Sequence, residues 1–297
     1  MDKTFDSSVP TVLLHDGVQI PQIGFGTFQI WPYEAQEAVE QALELGYRHI
    51  DTAAAYANEK GVGDALAATG KADTTFVTTK LRNGEQGRDS TFRACEESLE
   101  LLGLDAIDLY LIHWPVPSQD KYVETWRALA ELKEQGMVRS IGVSNFLPEH
   151  LERLEAETGI VPTVNQIESH PRFWQPETNA YCDAHGIRIE AYSPLGRGRD
   201  IDSAPVCVAS QRLDVTPAQV VLRWHVQKGH VVLPKSTHVE RMRQNMDLYG
   251  FVLPQTDMNA ISALDEPAGR ISGDPRTYDQ DQSLEDMVAR GVLKLEP

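Results

Sequence analysis

Eight short β-like runs alternate with helical stretches at an even pace, and this alternation constrains the fold more than any other feature of the chain. The runs are "IGFGT" from residue 23, "RHID" from 48, "FVTTKL" from 76, "IDLYLIH" from 107, "RSIGVSN" from 139, "TVNQIE" from 163, "RIEAYSP" from 188 and "VVLP" from 231. In "EAQEAVEQALELG", Ala38, Ala42 and Leu45 recur at helical spacing and Gly46 supplies a stop. "STFRACEESLELLG" predicts a helix capped by Ser90 and ended by Gly103. "TPAQVVLRWHVQKG" predicts one with Thr216 as cap, Pro217 at the first position and Gly229 at the end. Upstream, "TVLLHDGVQIPQIG" reads as a hairpin turning at Asp16 and Gly17. Eight β-then-α units with no linker or composition break predict an α/β chain forming one (β/α)8 TIM barrel domain over residues 1–297. The rival is a doubly wound dinucleotide-binding sheet. "GFGTFQ" at 24 lacks the third glycine of G-x-G-x-x-G, which counts against it.

Composition excludes several function classes. No apolar run approaches the roughly 18 residues of a membrane span, and the acidic, polar start does not read as a secretory or transit signal, so the expected location is the cytoplasm. Cys95, Cys182 and Cys207 lie far apart without C-x-x-C spacing and read as ordinary thiols. The nine histidines form no H-E-x-x-H or H-x-H pair, so no metal is expected. A net charge of -17, from 44 acidic and 27 basic residues, repels nucleic acid and anionic membrane. An anionic ligand therefore needs a local exception, and "PKSTHVERMRQN" at 234–245 supplies one with Lys235, His238, Arg241 and Arg243. Its bland reading is an exposed basic helix start. Its functional reading is an anion site of Lys235, Ser236 and Thr237 at a helix N-terminus, where backbone N–H groups and the dipole favour phosphate.

In a barrel, chemistry gathers at the C-terminal ends of the strands. There the second run ends at Asp51 with Tyr56 just behind it, the third carries Lys80, and the fourth ends at His113. Each has a plain structural explanation: a cap, a wall residue, a solvated charge, a satisfied core histidine. Together they bring four titratable side chains from three neighbouring units to one mouth.

Those residues and the segments around them resemble the aldo-keto reductases along nearly the whole chain. "GYRHIDTAAAYANE", "FVTTKL", "LYLIHWP", "IGVSNF", "NQIE", "AYSPLG" and "PKSTHVERMRQN" follow one another in that family's order, most like the bacterial branch containing 2,5-diketo-D-gluconate reductases. The resemblance implies NADPH-dependent reduction of an aldehyde or ketone, with Tyr56 as proton donor, Lys80 tuning it, Asp51 orienting Lys80 and His113 guiding the carbonyl. A free tyrosine, with a pKa of about 10, is a weak acid for this purpose. An ammonium about 4 Å away stabilises a phenolate by up to roughly 4 kcal/mol at an effective dielectric near 20, so a lowered Tyr56 pKa is expected. An alternative is an NADP(H)-binding sensor or regulatory subunit with little turnover.

For the coenzyme, the resemblance implies Ser236 and Arg241 on the 2'-phosphate, Lys235 on the phosphate side, and Gln244 and Asn245 near adenine. Ser144, Asn145 and Gln166 would serve the nicotinamide carboxamide, Tyr192 its ring, and the main chain at Ser193, Leu195 and Gly196 the pyrophosphate. Arg197 and Arg199 either close over the pyrophosphate or are solvated. Phe28, Trp31 and Trp114 would line the substrate pocket, with Trp174 undecided. Arg82 replaces an expected tryptophan, and with the polar C-terminal segment 269–282 it suggests an acidic or sugar-like carbonyl compound. The partner is a small carbonyl substrate, with no protein partner and a monomer expected.

Overall fold

The barrel closes where two backbones nearly touch. In the computed structural model, which describes residues 3, 5 and 9–295, Ile23 bridges Val232 in parallel, and Gly24 N–H donates to Val232 O at 2.8 Å. A Cβ on Gly24 would lie 2.6 Å from Leu233 Cδ2 and 2.7 Å from His49 Nδ1. Glycine at 24 thus serves the seam of the barrel.

Two hairpin strands, β1 (Thr11–Leu13) and β2 (Gln19–Pro21), precede eight barrel strands. These are β3 (Phe25–Gly26), β4 (His49–Asp51), β5 (Phe76–Leu81), β6 (Ile107–Ile112), β7 (Val138–Ser144), β8 (Val164–Glu168), β9 (Arg188–Tyr192) and β10 (Val231–Leu233). They pair in parallel in sequence order, and each falls within its expected run except that β7 begins one residue earlier, at Val138. The hairpin turns as expected, with Leu14 N–H donating to Val18 O and Gly17 N–H to Leu14 O.

The hairpin floors the barrel. Leu14 and Ile20 pack with Phe76, Leu109, Leu111, Val164 and Val231 in one buried cluster, drawn mostly from the N-terminal halves of the strands. Burying a Leu or Ile side chain contributes about 1.5–3 kcal/mol, so this floor is anchored by the hydrophobic effect. A larger apolar cluster packs the strands against helices including Pro32–Leu45, Arg88–Leu102 and Tyr122–Glu134.

Gly46 and Gly103 end their helices in the left-handed region, at φ 107° and 64°. Ser90 is not a cap. Its helix starts at Arg88, and the Ser90 hydroxyl donates back to Gln86 O and Gly87 O. Side chains of the neighbouring helix take the N-terminal amides instead: Thr125 Oγ1 accepts from Gly87 N and Glu124 Oε1 from Arg88 N. The Thr216 cap is as expected, with Thr216 Oγ1 accepting from Gln219 N at 3.2 Å and Gln219 Oε1 accepting from Thr216 N at 3.0 Å. Thr216→Ala should destabilise the protein by about 1 kcal/mol in denaturant titration, with an unchanged slope.

Candidate active site

Asp51 and Lys80 end up side by side because neighbouring strands β4 and β5 point both into the barrel above its apolar floor. Lys80 Nζ lies 2.7 and 2.8 Å from the two Asp51 oxygens and donates to Thr52 O at 2.9 Å. Neither residue is appreciably exposed. Two buried charges are stable only with close geometry and further hydrogen bonds, and both conditions are met here.

Tyr56 sits above Lys80, at the end of a single 3-10 turn, Ala54–Tyr56. Buried Asn58 fixes that turn. Its amide donates to Thr27 O and Ile30 O, and its oxygen accepts from the Thr52 hydroxyl at 2.6 Å, locking the loops after β3 and β4 together. Lys80 Nζ is 3.5 Å from the Tyr56 hydroxyl, close to the expected separation. The expected lowering of the phenol does not follow. Burial, the Asp51 charge and Tyr278 push Tyr56 well above the usual tyrosine value. The physical reason is first that burial disfavours the phenolate, and then that the Asp51 carboxylate, paired with the ammonium, opposes a second negative charge beside it. Tyr56 therefore keeps its proton at neutral pH and is a hydrogen donor in its resting state.

His113 follows β6 and faces the Tyr56 ring edge-on, with centroids 5.7 Å apart. Burial, with the Lys80 charge added, holds it well below the ordinary histidine value, so the imidazole is neutral as expected.

A cavity of about 1000 Å³ begins at Tyr56 and His113 and runs across the strand ends to the helix Val239–Met246. Phe28, Trp114, Ser144, Asn145, Gln166 and Tyr192 line it, followed by Ser193 and Leu195. The far end is lined by Lys235, Ser236, Thr237, Arg241, Gln244 and Asn245. With Asp51, seventeen of the expected site residues therefore face one space, and Lys80 reaches it from beneath through Tyr56.

Several expectations are corrected. Gly196 is not on the wall: its N–H already donates to Ser193 O, and its α-carbon backs onto Asp200. Trp31 lines a small adjacent crevice behind Tyr56. Trp174, left undecided by the sequence, lies away from the cavity, donating to Ser262 O beneath the Lys228 ammonium. Arg197 lines the cavity whereas Arg199 does not. Arg82 turns away from the mouth toward Glu85 and Glu97, so it does not set the pocket's polarity.

The C-terminal segment does build the wall. Tyr278 stacks on Trp114 at 4.0 Å, and Ser272, Gln282, Met287 and Arg290 line the same side. The segment is held by Gly84 N–H to Asp281 O and by the Asn83 amide to Gln280 O.

The donor set fits a long coenzyme bearing phosphate. Gln166 Nε2 donates to Asp51 Oδ2 at 2.7 Å and to Glu190 Oε2 at 2.6 Å. With both amide hydrogens committed, its oxygen is the group left to meet a carboxamide N–H. The far end carries Lys235 and Arg241 in a chain of net charge -17, which suits an anion.

Glu190 is a site residue not anticipated from the sequence. It is wholly buried in the barrel, on the same face of β9 as Tyr192, and burial with the Asp51 charge pushes its carboxyl up to about 8. The signal was an acid between Ile189 and Ala191 at an inward-facing strand position.

A barrel with a phenol, an ammonium and an imidazole at one end of a long cleft, and cations at the other, suits protonation of an oxygen beside a phosphate-bearing coenzyme. The aldo/keto reductase family profile matches residues 22–266, and the chain belongs to that family. It is 47% identical to a methylglyoxal reductase, DkgA, of Yersinia pestis over 92% of this chain and 99% of that one. It is 46% identical to a glyoxal reductase of Bacillus subtilis over 86% of this chain and 93% of that one. Its structure matches that of a Gox0644 variant in complex with NADPH, with a TM-score of 0.88 and 49% identity over 91% of this chain and 98% of that one.

Because Glu190 binds its proton more tightly when folded than an ordinary carboxyl at 4.5, its stabilising contribution is complete below 4.5 and is lost as pH rises through about 8. Glu190→Gln keeps the acceptor for Gln166 but cannot ionise. Melting temperature measured between these pH values should fall less steeply with pH in the variant than in the wild type.

Proposed function

We propose that this protein reduces an aldehyde or ketone to the alcohol with NADPH, and that small dicarbonyl compounds are its first substrate class. The observation that carries the reading is the contact of Lys80 with both Asp51 and Tyr56 at the inner end of the cavity. The dicarbonyl class is supported by the two relatives named as methylglyoxal and glyoxal reductases.

NADPH, when bound, supplies the hydride. Tyr56 holds its proton until negative charge develops on the carbonyl oxygen, then donates it from the hydroxyl. Lys80, held by Asp51 and Thr52 O, donates to the phenol oxygen and stabilises the charge that the departing proton leaves there. Neutral His113 orients the carbonyl oxygen by hydrogen bonding, and Phe28, Trp114 and Tyr278 keep water from the reacting carbon. Ser144, Asn145 and Gln166 receive the carboxamide, and Tyr192 receives the ring. The segment Lys235 to Asn245 receives the adenosine phosphate, with Ser236 and Arg241 on the 2'-phosphate.

Tyr56→Phe should abolish coenzyme oxidation with methylglyoxal, followed by the absorbance of the reduced nicotinamide, while NADPH still quenches protein fluorescence. Substantial surviving turnover would remove Tyr56 from the role. Arg241→Ala should weaken NADPH binding by about tenfold or more and NADH binding much less, because it removes one charged partner of a phosphate. Equal losses for the two coenzymes would contradict that assignment.

A further inference from the structure

A second buried cluster of charges lies beside the cavity and takes no part in the acid–base set. Glu168 ends β8, His170 follows two residues later, and Asp200 belongs to the loop after β9; all three are buried. His170 Nδ1 is 2.7 Å from Asp200 Oδ2, and its Nε2 is 3.1 Å from Glu168 Oε1. Both ring nitrogens are therefore engaged, each by a carboxylate that holds a different loop.

On one side, Asp200 supports the loop that carries Ser193, Leu195, Arg197 and Gly198 along the cavity. Gly196 packs so closely that a Cβ there would lie 2.5 Å from Asp200 Oδ2, and the Ser203 hydroxyl donates to Asp200 O at 2.7 Å. On the other side, Glu168 grips the C-terminal segment. Its Oε1 accepts from Ile271 N and its Oε2 from Ser272 N, each at 2.6 Å. His170 is itself pinned by paired backbone hydrogen bonds with Phe173.

We propose that His170 is a positioning residue that couples the loop over the coenzyme to the C-terminal loop over the substrate, so that order imposed on the first is passed to the second. This coupling rests on the coenzyme placement proposed above. Its chemistry is two charge-assisted hydrogen bonds meeting on one rigid ring, a geometry that resists motion of either carboxylate.

The groups facing His170 are Glu168, Asp200, Arg172 at 3.5 Å from Asp200, and His225 from the helix Pro217–Gln227. Burial alone would lower His170, but the hydrogen bonds and charges of Asp200 and Glu168 outweigh it and push its value above 6.5. Burial and the neighbouring His230 keep His225 well below that range, so His225 stays neutral while His170 titrates. Since the folded value is raised, the coupling is fully present on the acid side of 6.5 and is lost as pH rises through the raised value.

The test is hydrogen–deuterium exchange of the full chain with and without NADPH, for wild type, His170→Gln and Asp200→Asn, on the acid side of 6.5 and well above it. In the wild type at the lower pH, NADPH should slow exchange both in residues 193–203 and in residues 270–273. In either variant only 193–203 should be slowed, and wild type at the higher pH should behave like the variants. Carbonyl KM should rise about tenfold in the variants while kcat stays within about twofold, because Tyr56 and His113 are untouched. Protection of 270–273 that persists in both variants, or variants that keep the wild-type pH dependence, would overturn the coupling and leave the coenzyme placement standing. If NADPH fails to slow 193–203 in the wild type, the placement fails and the coupling falls with it.

Discussion

The buried ion pair of Lys80 with Asp51 is the constraint around which the upper half of the barrel is organised. An ammonium out of water needs a partner at contact distance, and removing one member of such a pair leaves an uncompensated charge, at a cost of roughly 3–5 kcal/mol. That requirement explains why Thr52 O and Gln166 are aimed at the pair. It also explains why Glu190 keeps its proton: a second ionised carboxylate beside Asp51 would have only one cation to share. The apolar floor below is what excludes water from the pair, so the hairpin at one end of the barrel bears on the acidity of groups at the other.

A phenol raised by burial is compatible with work as an acid. Proton donation needs a hydroxyl that is protonated before the reaction and a base that is stabilised after it. Burial secures the first condition at Tyr56, and the Lys80 contact secures the second only once negative charge has appeared on the oxygen. The interaction is thus stronger at the transition state than before it, which is what accelerates a step.

Much of this arrangement was legible in the sequence, and the parts that were not share a cause. The hairpin turn and the Thr216 cap follow from local pattern because their partners lie within a few residues, whereas the eight strands were legible from their β-like runs although each pairs with a strand of the next unit. Asp51, Lys80 and His113 were legible because strand ends converge in any such barrel. Ser90 misled because the helix begins before it, at Arg88, where Thr125 and Glu124, more than thirty residues away, accept from the Gly87 and Arg88 amides. Arg82 and Trp31 misled because a strand-end position does not say which way a side chain turns. The direction of the Tyr56 shift depends on burial first, then on the Asp51 charge and on Tyr278, all of which act only after folding. Glu190 was within reach, since Glu190 and Tyr192 alternate on one strand face, and an acid on an inward face is costly unless paired.

The stacked pair of Trp114 and Tyr278 divides the cavity between two histories. Trp114 comes directly after a barrel strand and is bound to the scaffold, whereas Tyr278, Met287 and Arg290 come from a segment laid over the mouth after the barrel is complete. Substitutions in that segment alter the shape and charge of the substrate wall without touching the strand pairing, the floor or the ion pair. One chemistry can therefore be offered to many carbonyl compounds by changing a covering whose sequence the barrel does not dictate, and diversification of substrate is separated from the risk of unfolding.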